Sequence, residues 1–339
     1  MIRVKIVPFF ALGALCAYLG VFGDQISTYG AIISEKIPIR GGATMEKVVI
    51  YPQETYESEK RICRTGRLFR HKNAKATVLI CHGFMCDQYD AGIFRGMFKR
   101  SHFNVVTFDF RAHGEQKEGQ YCTFGHDEAL DVIAAAHFIR NDPGLGKLPL
   151  FVYGFSMGAV SAIEGQALDS SLFDAMILDC PFESSEKVIK TGLEGLKFSL
   201  GGYTFEVPGR DVLLRYAFHP YVQSLVKTVL RLVSQVDASS MRTHFYPVHP
   251  VESIKKIRVP CFFIHCKNDE KVSVDQVKAV YNGAAGYKKL WITNGRRHCD
   301  SPIYDPEEYT KRVREFLYQV IEDQLDMSSH KQIFEDEKL

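Results

Sequence analysis

The stretch "FVYGFSMGAV", residues 151–160, breaks an apolar run on Gly-Phe-Ser-Met-Gly. A core strand gains nothing from a lone hydroxyl between two residues that lack side chains. A nucleophile that must stand clear of its own backbone does. Gly-X-Ser-X-Gly leaving a strand and entering a helix makes a turn so sharp that neighbouring side chains would collide, hence Gly154 and Gly158. Ser156 is then presented at the carboxyl end of the sheet. The helix that follows, from Met157 onward, aims backbone N–H groups at any developing negative charge.

Outward from this stretch the chain alternates apolar bursts with helical spacing. "KVVIYP" (47–52) and "RICRTGRLFR" (61–70) alternate like an antiparallel opening pair. Near-continuous apolar runs follow in "ATVLICHGF" (76–84), "FNVVTFDF" (103–110), "LPLFVYGFS" (148–156), "DAMILDCPF" (174–182), "VPCFFIHCKND" (259–269) and "KKLWITN" (288–294). Runs of this kind suit strands covered on both faces, as in a parallel sheet. Helical patterns at 125–140, 157–168, 273–282 and 306–322 lie between or after them, which predicts a doubly wound α/β sheet. The rhythm breaks between Phe182 and Val259, an interval too long for a single crossover. Residues 183–256 read as an inserted helical cap, 24–45 as a linker, 46–323 as the globular domain and 324–339 as a polar, frayed tail.

The 339 residues carry a net charge of +2 and no Lys/Arg stripe interleaved with aromatics, so nothing favours nucleic acid as a partner. The nine cysteines are Cys16, Cys63, Cys81, Cys86, Cys122, Cys180, Cys261, Cys266 and Cys299. They are odd in number and scattered, and form neither a disulfide framework nor a paired CxxC zinc pattern. Such usage favours a reducing compartment. The N-terminus points elsewhere. After Arg3 and Lys5, "IVPFFALGALCAYLGVFG" (6–23) runs without a charge. As a helix it would reach roughly 27 Å, close to the hydrocarbon thickness of a bilayer. It reads as an uncleaved membrane anchor, with a secretory signal cut near Gly23, and export, as the alternative. Basic flanking residues would keep that end in the cytoplasm.

Serine is a poor nucleophile at neutral pH and needs a base to take its proton. Of twelve histidines, His298 fits best, after the last strand in "LWITNGRRHCD" and before the final helix. The base needs a carboxylate to hold its tautomer, and Asp269 follows the strand "VPCFFIHC". Three positions thus fall at the carboxyl ends of separate strands, in the chain order Ser156, Asp269, His298. Asp179 also ends a strand and is the rival acid; Glu270 and Asp275 lie beyond the loop. His265 reads as a core histidine and His82 as an architectural hydrogen-bonder. His219, His244 and His249 read as cap surface. Two donors must meet a forming oxyanion. The N–H of Met157 is one, and the N–H of Phe84, in the loop "CHGF" (81–84), is the other, with Gly83 permitting close approach.

The blocks "LICHGF", "VVTFDFRAHG", "GFSMG", "IHCKND" and "RRHCD…DPEEYTKRVREFL" resemble, in order, the signatures of the α/β-hydrolase superfamily, most of all its serine aminopeptidase/lysophospholipase-like branch and the membrane-anchored hydrolases near it. The likeness covers roughly 46–320. It implies an eight-stranded, mostly parallel sheet and the same triad of Ser156, Asp269 and His298 with Phe84 and Met157 as oxyanion donors. Ala112 and Cys266 stand where many relatives have Gly. Family membership does not fix a substrate, since esterases, lipases, thioesterases and peptidases share such a site.

The resulting expectation is a serine hydrolase that needs neither metal nor cofactor. Its substrate is a small-molecule or lipid-like carboxylester or thioester, or an acylated protein. An aminopeptidase would instead need an acidic cluster for the substrate amine, for which Glu183, Glu186, Glu194 and Glu206 are available. A non-catalytic, membrane-tethered scaffold is the rival from another class. The sequence leaves the oligomeric state open.

Overall fold

Unbroken runs of five or six apolar residues cannot show one polar face to water, so they must be covered twice. The computed structural model describes residues 30–39, 43–52, 63–98, 101–115, 120–194, 197–200, 203–206, 216, 219 and 242–336. It places those runs at the centre of one sheet. Its strands are β1 (Gly30–Ile32), β2 (Ile37–Ile39), β3 (Ala43–Ile50), β4 (Arg64–His71), β5 (Ala76–Cys81), β6 (Phe103–Phe108), β7 (Leu150–Phe155) and β8 (Ala175–Asp179). A separate hairpin of β9 (Lys197–Leu200) and β10 (Tyr203–Glu206) precedes the last two sheet strands, β11 (Cys261–Cys266) and β12 (Lys288–Thr293).

The spatial order is β1-β3-β4-β6-β5-β7-β8-β11-β12, with β2 also on β3. From β6 through β12 every neighbouring pair is parallel, while β1, β2, β3 and β4 are antiparallel to their partners. Period-two alternation divides each central strand between two cores. Leu79 and Cys81 of β5 and Leu150 and Val152 of β7 face one side. There α2 (Glu128–Asn141), α3 (Met157–Leu168) and α6 (Val274–Gly283) contribute Val132, Phe138, Ile163 and Val277. Val78, Ile80, Phe151 and Tyr153 face the other side, against α1 (Gln88–Phe94) and α8 (Pro306–Asp336), through Ala91, Tyr309, Val313 and Phe316. Three short helices remain: α4 (Ser185–Glu194), α5 (Pro250–Ser253) and α7 (Ser301–Tyr304).

Three features differ from the sequence expectation. The sheet has ten strands, not eight, because the presumed linker supplies β1 and β2. Both pair along one edge of β3, covering backbone groups that would otherwise be open to another chain; Pro38 sits on this edge, where its missing N–H costs little. The presumed frayed tail continues α8 to Asp336, since no Gly or Pro after Pro306 interrupts the helix. The described part of the cap is not purely helical: β9 and β10 pair antiparallel, Leu200 opposite Tyr203. Most of 207–241 lies outside the described residues, as does the charge-free run 6–23. Among the described residues, no helix is long and apolar enough to cross a membrane.

Candidate active site

The turn between β7 and α3 forces Ser156 to φ 53°, ψ −122°, a conformation that non-glycine residues seldom adopt. Its N–H is held by the carbonyl of Asp179 at 2.8 Å. The two flanking glycines permit this approach. A Cβ on Gly154 would lie 2.7 Å from Ala159 Cα, and one on Gly158 would lie 2.1 Å from the carbonyl oxygen of Cys81. The strain of one residue is thereby imposed by tight backbone packing on both sides.

Two distant loops complete the site. Ser156 Oγ lies 2.7 Å from His298 Nε2, and His298 Nδ1 lies 2.6 Å from Asp269 Oδ2. A carboxylate only accepts, so Nδ1 carries a proton, and in the neutral ring Nε2 is left bare to accept the serine hydroxyl. Asp269 is buried, and its other oxygen accepts the N–H groups of Lys271 and Val272 at 2.9 and 3.0 Å. Burial raises the Asp269 pKa, but His298 and these N–H donors outweigh it and hold the carboxyl below its ordinary value. Burial pulls His298 down, while the adjacent Cys299 sulfur and the Asp269 carboxylate more than offset this and move it above its ordinary value. His298 keeps 15% of its side-chain surface open, whereas Asp269 has none.

The loop after β5 lies against Ser156. A Cβ on Gly83 would stand 3.2 Å from the Phe155 ring and 3.5 Å from Ser156 Cβ. Among the described residues, nothing engages the N–H of Phe84 or of Met157, the first residue of α3. Two histidines brace this loop. His82 accepts the Phe110 N–H at Nε2 (3.0 Å) and faces the Gly83 carbonyl with Nδ1 (2.8 Å), so its ring is a neutral Nδ1–H tautomer. Burial first, then His113, pushes its pKa down to about 3. His113 accepts the Met85 N–H at 3.2 Å and bonds the Arg111 carbonyl at 2.8 Å.

The rival acid is committed elsewhere. Asp179 is fully buried and accepts the Tyr309 hydroxyl at 2.6 Å and the more distant Tyr153 hydroxyl at 3.4 Å. Burial raises its pKa to about 6. His265 is a buried histidine bonded to the Val272 carbonyl at 2.9 Å. His219 is exposed, His244 stacks on Tyr246 at 4.6 Å between ring centroids, and His249 meets Glu186 at 3.4 Å. Glu183 is paired with Lys187 at 2.6 Å. The side chains of Glu194 and Glu206 lie outside the described residues. Glu270 is exposed, and Asp275 opens α6 without touching the site. Sequence reasoning missed His113, although "DFRAHG" contains it, and missed Cys180 and Cys299 beside His298.

A family model described as "Alpha/beta hydrolase family" matches residues 78–312. The chain belongs to the α/β-hydrolase family. Its sheet order and the placing of Ser156 on the sharp strand-to-helix turn agree with that membership. An uncharacterized Bacillus subtilis protein, YqkD, is 27% identical over 242 residues, 71% of this chain and 70% of its own. Among solved structures, the Pyrococcus furiosus esterase Pf2001 superposes with a TM-score of 0.61 at 22% identity, covering 88% of this chain and 98% of its own. Acetyl xylan esterase 1 from Thermoanaerobacterium sp. gives a TM-score of 0.57 at 15% identity, with 87% and 89% covered. At such identities these structures establish the α/β-hydrolase fold alone.

Proposed function

We propose that this α/β-hydrolase is a serine hydrolase that cleaves an ester or thioester of an apolar acyl group through an acyl-enzyme. The observation that carries this reading is the continuous bond chain from Ser156 Oγ through His298 to buried Asp269, 2.7 and 2.6 Å long, set on the strained turn. Ser156 Oγ attacks the substrate carbonyl as His298 Nε2 takes its proton, and Asp269 stabilises the imidazolium that results. The N–H groups of Met157 and Phe84 receive the oxyanion. His298 then returns the proton to the leaving oxygen or sulfur, and water, activated by the same ring, frees the acid and restores Ser156.

The apolar acyl preference rests on the wall beside this loop. Phe84 stacks on Phe124 at 4.5 Å between ring centroids, and Phe124 on Phe245 at 5.0 Å, the last ring coming from the end of the inserted segment. Pairing of Glu183 and Glu186 with Lys187 and His249 leaves less free negative charge for a peptide amine. That Pf2001 and the acetyl xylan enzyme are named esterases also favours ester chemistry. A fluorophosphonate probe should label the folded protein but not Ser156→Ala; an unlabelled wild type would rule the mechanism out. A p-nitrophenyl ester series should show kcat/KM rising from acetyl to octanoyl, and a preference for acetyl would remove the acyl-wall argument.

The run 6–23 is further proposed to hold the enzyme at a bilayer, on the strength of its uninterrupted apolarity. Full-length protein should float with vesicles and a variant lacking residues 1–23 should not.

A further inference from the structure

Behind the imidazole of His298 lies a group of thiols that the hydrolytic mechanism does not use. Cys180 follows β8 directly, Cys266 ends β11, and Cys299 adjoins His298. All three are free thiols. Cys180 Sγ, Cys299 Sγ and a ring nitrogen of His298 lie within 4.8 Å of one another. The Cys180 sulfur also contacts that of Cys266, whose Sγ meets Ser301 Oγ at 2.9 Å. The backbone fixes this meeting. Cys180 and Cys299 both adopt left-handed conformations, φ 53° and 59°, and the Cys180 N–H is anchored on the Ile264 carbonyl at 2.9 Å.

Two sulfurs and an imidazole nitrogen are a soft donor set, suited to zinc or cadmium and poorly suited to magnesium or calcium. Bond lengths of about 2.3 Å to sulfur and 2.0–2.1 Å to nitrogen put tetrahedral donors roughly 3.5–3.8 Å apart. Donors within 4.8 Å reach that spacing through small side-chain movements. A second observation points the same way. Cys180 also clusters within 4.8 Å of His265 and Asp269, and the buried Nδ1 of His265 has no hydrogen-bond partner among the described residues. The Cys180 sulfur thus lies beside a second imidazole as well as that of His298.

We propose that Cys180, Cys299 and His298 form an inhibitory site for a thiophilic divalent cation such as zinc. Both nitrogens of His298 are already engaged, Nδ1 by Asp269 and Nε2 by Ser156. An ion can take a ring nitrogen only by displacing one of these partners, and either loss disables the base. Each thiol releases its proton to solvent as its sulfur–metal bond forms, and nothing is oxidised or reduced. The inhibition rests on the triad reading above, whereas the binding does not. The three ligands come from strand ends 118 and 119 residues apart (298 − 180 and 299 − 180), so no Cys/His spacing marks them in the sequence.

The test uses the full chain, reduced with a phosphine and stripped of metal. One equivalent of cadmium should produce a cadmium–thiolate charge-transfer band, in wild type and in Ser156→Ala alike. Cys180→Ser and Cys299→Ser should each weaken binding on the order of 100-fold, and Cys261→Ser, at the other end of β11, should not. Zinc at the same stoichiometry should abolish ester hydrolysis, a chelator should restore it, and each Ser variant should keep its own rate when zinc is added. Absence of the band, or full binding by both Ser variants, overturns the site whatever the activity. A band without loss of hydrolysis overturns the inhibition. A wild type that forms the band but hydrolyses nothing and takes no fluorophosphonate removes the serine-hydrolase reading and leaves the metal site standing.

Discussion

His82 and His298 both follow apolar strand runs, and both bond through both ring nitrogens, yet they are built for opposite ends. The partners of His82 are the backbone N–H of Phe110 and the carbonyl of Gly83, and its ring is sealed from solvent. The partners of His298 are two side chains, Asp269 and Ser156, and one edge of its ring is open. Backbone groups cannot exchange a proton with an imidazole, so His82 can only tie the end of β5 to the end of β6. A hydroxyl and a carboxylate can take part in proton transfer, so His298 can move one. A histidine's role at a sheet edge follows from whether its partners are backbone or side chain, and from whether any face admits substrate.

The comparison breaks most readily at His298. His298→Ala should lower ester kcat/KM by about 10⁴-fold or more, because the base is lost, and should cost about 1–3 kcal/mol of stability, because buried Asp269 Oδ2 loses its partner. Asp269→Asn tests the same ring from behind. The amide can donate to Nδ1, which would reverse the tautomer and turn Nε2–H toward Ser156. A fall of about 10³–10⁴ in kcat with a small change in KM is expected, measured on the same ester. If Asp269→Asn kept most of its activity, Asp179 would have to be reconsidered as the working carboxylate.

His82→Ala should show the reverse pattern. It leaves the Phe110 N–H and the Gly83 carbonyl buried without partners, at about 1–3 kcal/mol each. A loss of about 2–4 kcal/mol in unfolding free energy is expected by denaturant titration. Activity should fall by only about 10–100-fold, through loosening of the loop that carries Phe84. Equal effects of the two histidine variants on activity would erase the distinction.

Much of this contrast was legible before any coordinates. The continuous apolarity of 76–81, 103–108, 150–155, 175–179 and 261–266 could belong only to strands covered twice, and functional side chains gather at one end of such strands. The meeting of Ser156, Asp269 and His298 was therefore readable from position as well as residue type. The backbone bonds of His82 were expected in kind, though not in partner. What escaped depends on information that pattern does not carry. β1 and β2 are three residues each, too short for any periodicity, and exist because β3 has an edge to cover. The β9–β10 pairing was hidden by apolar density that also suits helices. The meeting of Cys180 and Cys299 depends on left-handed residues at two strand ends, and Ala112 holds a similar φ of 59° where a glycine was the expected residue. The hydroxyl pair of Tyr153 and Tyr309, 2.9 Å apart beside Asp179, joins β7 to α8 across 156 positions.

The subtlest expected effect sharpens the comparison through pH. His82 titrates near 6.5 when unfolded and is pushed down to about 3 in the fold, by burial first and by the neighbouring His113. Between those values the unfolded chain binds a proton that the folded chain refuses. The neutral ring's contribution is therefore fully present above about pH 6.5 and declines as pH falls toward 3, by at most about 1.4 kcal/mol per unit. His82→Gln has no such titration. It should be the less stable protein at pH 7.5, since an amide cannot span both backbone groups with the ring's geometry, and the gap in unfolding free energy should narrow at pH 5. Other groups titrate in the same interval, but they are common to both proteins and cancel in the difference. A gap that stays constant from pH 7.5 to 5 would mean that the ring accepts a proton in the folded state, and then backbone partners alone would not be what separates a structural histidine from a working one.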